Sequence, residues 1–286
     1  MTRVSIITPT RNSAGTLKMA LDSVRLQHHP EIEHIVIDGN SSDRTLELLD
    51  ASPDVHWISE PDSGIYDAIN KGLSMATGDV VGVLNADDFL ATPAVIQEIV
   101  EGITSHDAVY RDVSFVHPSD LRRVVRDYRS ANFRPGMFLA GFMPAHPSFY
   151  ARRSLFTYFG DYRRDYRICA DYELLLRFIL IHGIRTRYIP GTHAIMRTGG
   201  VSNATPISRW RLNREMVRAC RENGISVGMQ DLIWKYPSKF KEYLGPGLSH
   251  GVRLDLNWLI TPAGLWEGLG AYCADGHRDR PDEPVG

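Results

Sequence analysis

The first feature of this sequence that could do chemistry is a pair of adjacent acids at the end of an apolar run. Val80 to Leu84 leads directly into Asn85-Ala86-Asp87-Asp88. Neighbouring carboxylates repel each other, and a divalent cation relieves that cost. Carboxylate oxygens suit Mg2+ or Mn2+, ions that keep positions open for phosphate oxygens. The competing reading is a polar turn ahead of a helix near Thr92-Pro93. Asp38, just before Gly39, either accepts hydrogen bonds from a base or ribose or caps the helix that follows. A third stretch, Ser59-Glu60-Pro61-Asp62-Ser63-Gly64-Ile65-Tyr66-Asp67-Ala68-Ile69-Asn70-Lys71-Gly72, sets polar residues ahead of a helix start at Gly64-Ile65. Free backbone N–H groups at such a start favour anions. Lys71, near the far end of that helix, either pairs with a phosphate or is a solvated cation at a helix C-terminus.

These residues need elements to hold them, and the first hundred residues supply a regular alternation. Val4 to Thr8 reads as a strand. Ala14 to Gln27 places Leu17, Ala20, Leu21 and Val24 on one helical stripe. His34 to Asp38 is strand-like, with Ser42 as the predicted cap of a helix over Asp43 to Leu49. Val55 to Ile58 and Val80 to Leu84 are further strands, separated by a helix over Ile65 to Ala76. Strand and helix at this pitch predict an α/β fold with a mainly parallel sheet flanked by helices. Ligands of such sheets sit outside the carboxyl ends of the strands, where Thr8-Pro9-Thr10-Arg11-Asn12, Asp38-Gly39 and Asn85-Ala86-Asp87-Asp88 fall.

Later, short strands are predicted over Ala108 to Arg111, Arg122 to Asp127, Arg187 to Ile189 and Ala194 to Arg197. A helix over Cys169 to Ile181 turns Leu174, Leu175, Phe178 and Ile179 inward. Beyond Pro206 the chain reads as helical: Ile207 to Glu222 is basic and amphipathic, and Asp255 to Tyr272 is rich in Trp and Leu. The division expected is a nucleotide-binding unit over 1–205, a helical C-terminal extension over 206–274 and a disordered tail over 275–286.

Composition narrows the function. Lys and Arg total 32 against 34 Asp and Glu, a formal charge of -2 that removes nucleic acid as a general partner. Three widely spaced cysteines give neither a disulfide framework nor a CxxC site. No window approaches the roughly 18 apolar residues of a membrane span. A cytoplasmic protein is the expectation. The chain lacks GxGxxG after the first strand, GxxxxGK[ST] and GxSxG, which speaks against dinucleotide-dependent dehydrogenases, P-loop enzymes and α/β-hydrolases.

VSIITPTRN, IVIDGNSSDRTLELL and SEPDSGIYDAINKGLSMATGDVVGVLNADD, in that order, resemble the N-terminal half of family 2 glycosyltransferases. AHPSFYARRSLF, YRICADYELLLRF and MRTGGVSN resemble the branch that builds bacterial exopolysaccharides, O-antigens and glycolipids. The resemblance covers roughly residues 3 to 203. It implies a GT-A fold, a Rossmann-like nucleotide-sugar domain that carries out a metal-dependent, inverting transfer. Thr8, Pro9 and Arg11 would line the nucleotide pocket with Asp38, which would contact the base; Asp62 and Lys71 would complete the diphosphate side. Asn85, Ala86 and Asp87 occupy the Asp-x-Asp position, with Asp87 and Asp88 as ligands of Mn2+ or Mg2+. The first acid of that motif is here Asn85, which weakens the expected metal dependence.

The same resemblance puts Asp171 at the catalytic base, with Glu173 as its substitute. An inverting transfer needs one carboxylate to take the acceptor hydroxyl proton. His146 would meet donor or acceptor sugar, or else is a structural histidine. Arg197, with Gly199-Gly200, would close on the diphosphate or form an ordinary turn; His193 is a candidate third metal ligand. The helix with Arg209, Arg211, Arg214 and Arg218 is a solvated face or, with Trp258 and Trp266, a peripheral contact to the inner face of an anionic membrane. The reading is therefore a hexosyl- or deoxyhexosyltransferase. It would move sugar from a nucleoside diphosphate donor to a saccharide or lipid-linked acceptor in surface polysaccharide or glycolipid synthesis. The alternatives are a nucleotidyltransferase and a catalytically silent nucleotide-sugar-binding module.

Overall fold

A computed structural model describes residues 1–199, 206–233, 254 and 256–259. Gly200, the Arg209 side chain, Trp266, most of the predicted 255–272 helix and the 275–286 tail lie outside the described residues.

Four strands form the half of the sheet that positions the site: β1 (Val4–Thr10), β2 (Ile32–Asp38), β3 (Val55–Ser59) and β4 (Val80–Val83). They pair in parallel in the order β3-β2-β1-β4. The chain steps outward on one side of β1 through β2 and β3, then returns to its other side at β4. That reversal opens a crevice at the carboxyl ends of β1 and β4. The register sets Thr10 beside Asp38 and Asp38 beside Ser59 in one row along that edge.

Helices α1 (Leu17–Arg25), α2 (Thr45–Asp50) and α3 (Ile65–Met75) make the crossovers. The predicted cap Ser42 is not at the α2 start, because the helix begins later, at Thr45 after Arg44. Asp43 serves there instead, accepting from the Thr45 amide at 3.0 Å through Oδ1 and the Ala14 amide at 3.1 Å through Oδ2. α3 buries Tyr66, Ala68, Ile69, Gly72 and Leu73, each large side chain worth roughly 1.5–3 kcal/mol. It lies close on the sheet because Gly72 has no side chain: a Cβ there would stand 2.4 Å from Cγ2 of Ile7.

The second half of the sheet is mixed. β5 (Phe89–Leu90), β6 (Ala108–His117), β7 (Asp120–Tyr128), β8 (Tyr150–Arg152) and β9 (Thr186–Arg197) extend it in the order β4-β8-β6-β9-β5, with β7 on β6. β9 joins the two strands predicted over 187–189 and 194–197. The break read at Pro190-Gly191 is an irregularity in the β6–β9 register, held by the Arg111 guanidinium donating to the Pro190 carbonyl at 3.0 Å and the Gly191 carbonyl at 3.4 Å.

α4 (Val95–Gly102), α5 (Arg153–Phe159) and α6 (Ala170–Leu176) follow. α6 continues as a wider π turn over Arg177–Ile181, so the predicted Cys169 to Ile181 helix is two geometries in sequence. Leu174, Leu175, Phe178 and Ile179 are buried as expected. α7 (Pro206–Glu222) and α8 (Met229–Ile233) come last. α7 contributes Met216, Val217, Ala219 and Cys220 to the same apolar cluster as α6. Further on, Asn257–Leu259 is one 3-10 turn, and Leu256, Leu259 and Trp258 pack against Phe89, Val116 and Ile195. Trp258 therefore belongs to an internal cluster and not to a membrane-facing surface.

Candidate active site

At the carboxyl ends of β1 and β2 the loops are bound to one another by side chains. Asn12 and Asn40 adopt φ of +50° and +59°, a left-handed conformation that asparagine tolerates. The Asn12 amide donates to Ser41 Oγ at 2.7 Å, and Asn12 Oδ1 accepts from the Ser42 amide at 2.9 Å. Asp38 lies beneath, fully buried. Its Oδ2 accepts from the Ser41 amide at 2.9 Å and from Ser59 Oγ at 2.7 Å, and its Oδ1 accepts from Ser41 Oγ. Asp38 thus fixes the turn after β2; the helix-cap reading fails, since α2 is capped elsewhere. Thr8 and Pro9 are likewise buried. Thr8 Oγ1 meets His34 Nε2 at 3.0 Å, and burial pulls that histidine down to about 4. Thr10, which sequence reasoning did not single out, ends β1 with a buried Oγ1 lacking a partner among the described residues.

Arg11 and Asp62 converge on Gly39. A Cβ on Gly39 would lie 2.3 Å from Asp62 Oδ2 and 3.5 Å from Arg11 Cδ, so glycine is what lets both side chains cross there. Asp62 Oδ1 accepts from the Gly64 amide at 2.9 Å, which shapes the entry to α3. Lys71 is held by the loop that precedes its own helix. Its ammonium, inside α3, pairs with Glu60 at 2.8 Å and donates to the Pro61 carbonyl at 2.8 Å. The Glu60 contact lifts its pKa, and the pair braces the loop that carries Asp62.

The acids after β4 stand apart from this web. Asp87 is exposed, whereas Asp88 is only 2% exposed. The Asp88 amide closes a turn onto the Asn85 carbonyl at 3.1 Å, and Asn85 Nδ2 donates to Asp88 Oδ2 at 3.0 Å. Burial and the neighbouring Asp87 push the Asp88 carboxyl up to about 8. Arg197, at the end of β9, donates to the Asp87 carbonyl and lies over the Phe89 ring at 5.7 Å. The strand end thus brings Asn85, Asp87, Asp88 and Arg197 together. His193 does not join them. It is buried against the Tyr150 ring at 5.0 Å, with burial and Arg111 drawing it down to about 3. Among the described residues no three His, Cys, Asp or Glu side chains gather at metal-binding spacing. What remains fits a cation that takes few protein oxygens: an under-neutralised carboxylate pair of hard donors, leaving most positions to phosphate and water.

Asp171 and His146 meet at the start of α6, together with two tyrosines that the sequence did not flag. Asp171 Oδ1 accepts from the Tyr172 amide at 2.8 Å and lies 3.3 Å from the Tyr66 hydroxyl. Tyr66 donates to the Ile168 carbonyl at 2.5 Å. His146 Nε2 is 2.7 Å from the Tyr162 hydroxyl, and the Tyr162 ring stacks on Tyr66 at 6.0 Å. Asn70 clamps Tyr162, donating to its carbonyl at 2.7 Å and accepting from its amide at 3.0 Å. Burial raises the Asp171 carboxyl against the opposing pull of His146 and the Tyr172 amide. Burial lowers His146, with Asp171 opposing. Tyr66 opens α3, a few residues after Asp62, so α3 carries the Asp171 cluster to the same edge as the β1–β3 loops.

Glu173, the substitute base, points elsewhere. It is 1% exposed, pairs with Arg177 at 2.9 Å and accepts from Asn223 at 3.2 Å. Two residues along the helix, roughly 200° of rotation, separate a carboxylate facing the crevice from one locked in the core. A further unanticipated residue is Glu215 of α7, whose carboxylate accepts from the amides of Arg167, Ile168 and Cys169 at 3.2, 2.9 and 3.0 Å. It supplies the free amides ahead of α6 with an acceptor.

With this geometry in hand, comparison with known proteins decides the family. The family model "Glycosyl transferase family 2" matches residues 5–167. This chain belongs to glycosyl transferase family 2. A PGL/p-HBAD biosynthesis glycosyltransferase of Mycobacterium tuberculosis is 32% identical over 216 residues, covering 70% of this chain and 78% of that protein. An uncharacterized glycosyltransferase of the same organism is 36% identical over 186 residues, covering 62% and 69%. Among solved structures, S. aureus TarS 1-349 matches with a TM-score of 0.60 at 16% identity, covering 86% of this chain and 76% of that one. The mannosyltransferase PcManGT of Pyrobaculum calidifontis, solved with GDP-Man and Mn2+, matches at 0.56 and 20% identity, covering 85% and 70%. The fold is the GT-A fold that the family resemblance implied, and the activity class is glycosyl transfer. Family membership sets the nucleotidyltransferase reading aside. No helix among the described residues is long and apolar enough to cross a membrane.

Proposed function

We propose that this glycosyltransferase moves a hexose or deoxyhexose, with inversion, from a nucleoside diphosphate sugar to a saccharide or lipid-linked acceptor in glycolipid or surface polysaccharide synthesis. The observation that carries the reading is Asp171: a carboxyl held above its usual range, half-buried at the crevice edge, with its substitute Glu173 locked in the core. Such a group is a competent general base near neutral pH. The donor binds across the carboxyl ends of β1, β2 and β4. Its base and ribose lie against the Asp38–Ser41 turn, Arg11 and Asp62. Its diphosphate lies toward Asn85, Ala86, Asp87 and Arg197.

Asp87 and Asp88 would hold Mn2+ or Mg2+, which when bound neutralises charge developing on the departing diphosphate. Arg197 keeps its guanidinium at that strand end. Asp171 takes the proton of the acceptor hydroxyl as that oxygen forms its bond to the anomeric carbon, and the bond to the diphosphate oxygen breaks. His146, held by Tyr162, borders the sugar. Similar proteins support this reading: TarS has been solved with UDP and with UDP-GlcNAc, and PcManGT with GDP-Man and Mn2+.

The acceptor side is proposed to face a membrane through α7. Ile207 and Trp210 are 72% and 55% exposed, Arg214 covers the Trp210 ring at 5.2 Å, and Arg167, Arg211 and Arg214 line an open groove along the helix. Flotation with anionic vesicles, lost in Trp210→Ala with Arg211→Glu, is the expected outcome; flotation that ignores both changes contradicts it. For the donor, a panel of nucleoside diphosphate sugars is screened by thermal shift with and without Mn2+. One donor is expected to stabilise the protein in a cation-dependent way and to be consumed when acceptor is added. Stabilisation without turnover across acceptors would instead support a silent binding module.

A further inference from the structure

Resting on the reading of Asp171 as base, the geometry points to Tyr66 as a positioning residue that keeps this carboxyl strongly basic by giving its own proton elsewhere. A tyrosine hydroxyl has a single proton to donate. Two acceptors compete for it: the Ile168 carbonyl at 2.5 Å and Asp171 Oδ1 at 3.3 Å. The shorter contact takes the proton, since 3.3 Å is beyond the usual O–H···O range. Ile168 is well placed to win, because Glu215 of α7 accepts from the amides of residues 167, 168 and 169 and so fixes that carbonyl.

What Tyr66 then shows Asp171 is an oxygen lone pair. Facing the ionised carboxylate it offers no hydrogen bond, and the two oxygens repel. Facing the protonated carboxyl it accepts the carboxyl O–H. Both effects favour the form of Asp171 that holds a proton. The other groups facing Asp171 are the Tyr172 amide, which donates at 2.8 Å, His146 across the crevice and Tyr162 behind it. Cys169 adjoins Tyr66. The amides of Tyr172 and of Asp171 itself and the charge of His146 favour the ionised form, and burial opposes them; the Tyr66 lone pair would act on the side of burial. A Tyr66 proton aimed at Asp171 would act in the opposite direction, and that contrast makes the inference testable by sign.

The experiment is Tyr66→Phe in the full chain. Phenylalanine keeps the ring stacked on Tyr162 and removes only the hydroxyl. The acid limb of kcat/KM against pH, which reports the base in the free enzyme, is expected to move to lower pH by about 0.5–1 unit. The plateau kcat should fall by about two- to tenfold as the base weakens, with little change in donor KM. A limb that moves to higher pH means that Tyr66 donates to Asp171, and overturns the inference. An unmoved limb reduces Tyr66 to a packing role and also overturns it. Independently of any variant, the Tyr66 hydroxyl proton in the wild-type protein should correlate by long-range NMR with the Ile168 carbonyl carbon; correlation with the Asp171 carboxyl carbon overturns the inference. Asp171→Asn separates the two levels. If it keeps full transfer, the base reading fails; if it is inactive while the Tyr66→Phe limb stays put, only the role of Tyr66 fails.

Discussion

At the carboxyl ends of β2 and β4 two aspartates are buried, Asp38 at 0% and Asp88 at 2% exposure, in opposite surroundings. Asp38 accepts hydrogen bonds from Ser41 twice and from Ser59. Asp88 accepts from Asn85 and from the Arg197 backbone, yet burial and a second carboxylate outweigh these contacts and the Arg197 charge. A buried charge is tolerated when it is hydrogen-bonded and costly when it is not. The first is therefore scaffold, complete within the protein. The second is short of positive charge in a way that a ligand can correct. Asp171 is of the second kind, held high by burial. On the proposed function, one side of the crevice is complete before the donor arrives, and the other holds the carboxyls whose protonation or coordination would change.

The largest consequence concerns the reactive side. Asp171→Asn should lower transfer by about 10²–10⁴-fold while donor-induced thermal stabilisation stays as in the wild type. A loss of donor binding would place Asp171 on the finished side and break the contrast. The next is a paired experiment in which the two buried aspartates should respond with opposite sign. Asp38→Asn replaces an acceptor with an amide N–H₂ facing Ser41 and Ser59 donors, and should cost about 2–3 kcal/mol. Asp88→Asn, in chelator-treated protein, should stabilise at pH 8. The sign follows from linkage: Asp88 has a folded pKa of about 8, above the ordinary value of 3.8, so the folded state binds the extra proton. Its contribution is present below pH of about 4 and lost as pH rises toward 8. Wild-type melting temperature should therefore fall across this window more than that of Asp88→Asn. Equal slopes would mean that Asp88 is already neutralised from within.

The parallel strands and the residues at their carboxyl ends were legible because both follow from local pattern: short β-branched apolar runs buried on both faces, helical stripes, and polar residues where the runs stop. Asp171 was legible through the motif around it. The partners of these residues were not. Tyr66 and Asp171 are 105 positions apart, and Glu215 reaches the 167–169 amides from a helix whose pattern shows only a basic amphipathic face. The Asn12–Ser41 web depends on the left-handed turns at Asn12 and Asn40. Glu173 was kept as a substitute because two acids two residues apart look equivalent as letters. Two residues turn a helix by roughly 200°, which sends one to the crevice and the other to Arg177, one turn further along the same helix.

The role given to Asp171, a base in a single displacement, is tested most directly by the anomeric configuration of the product. With the donor found by screening, proton NMR during turnover should show the sugar linked with inverted configuration from the first turnover. A retained configuration would require two displacements or attack from the leaving-group face, and would contradict the assignment of Asp171 as general base.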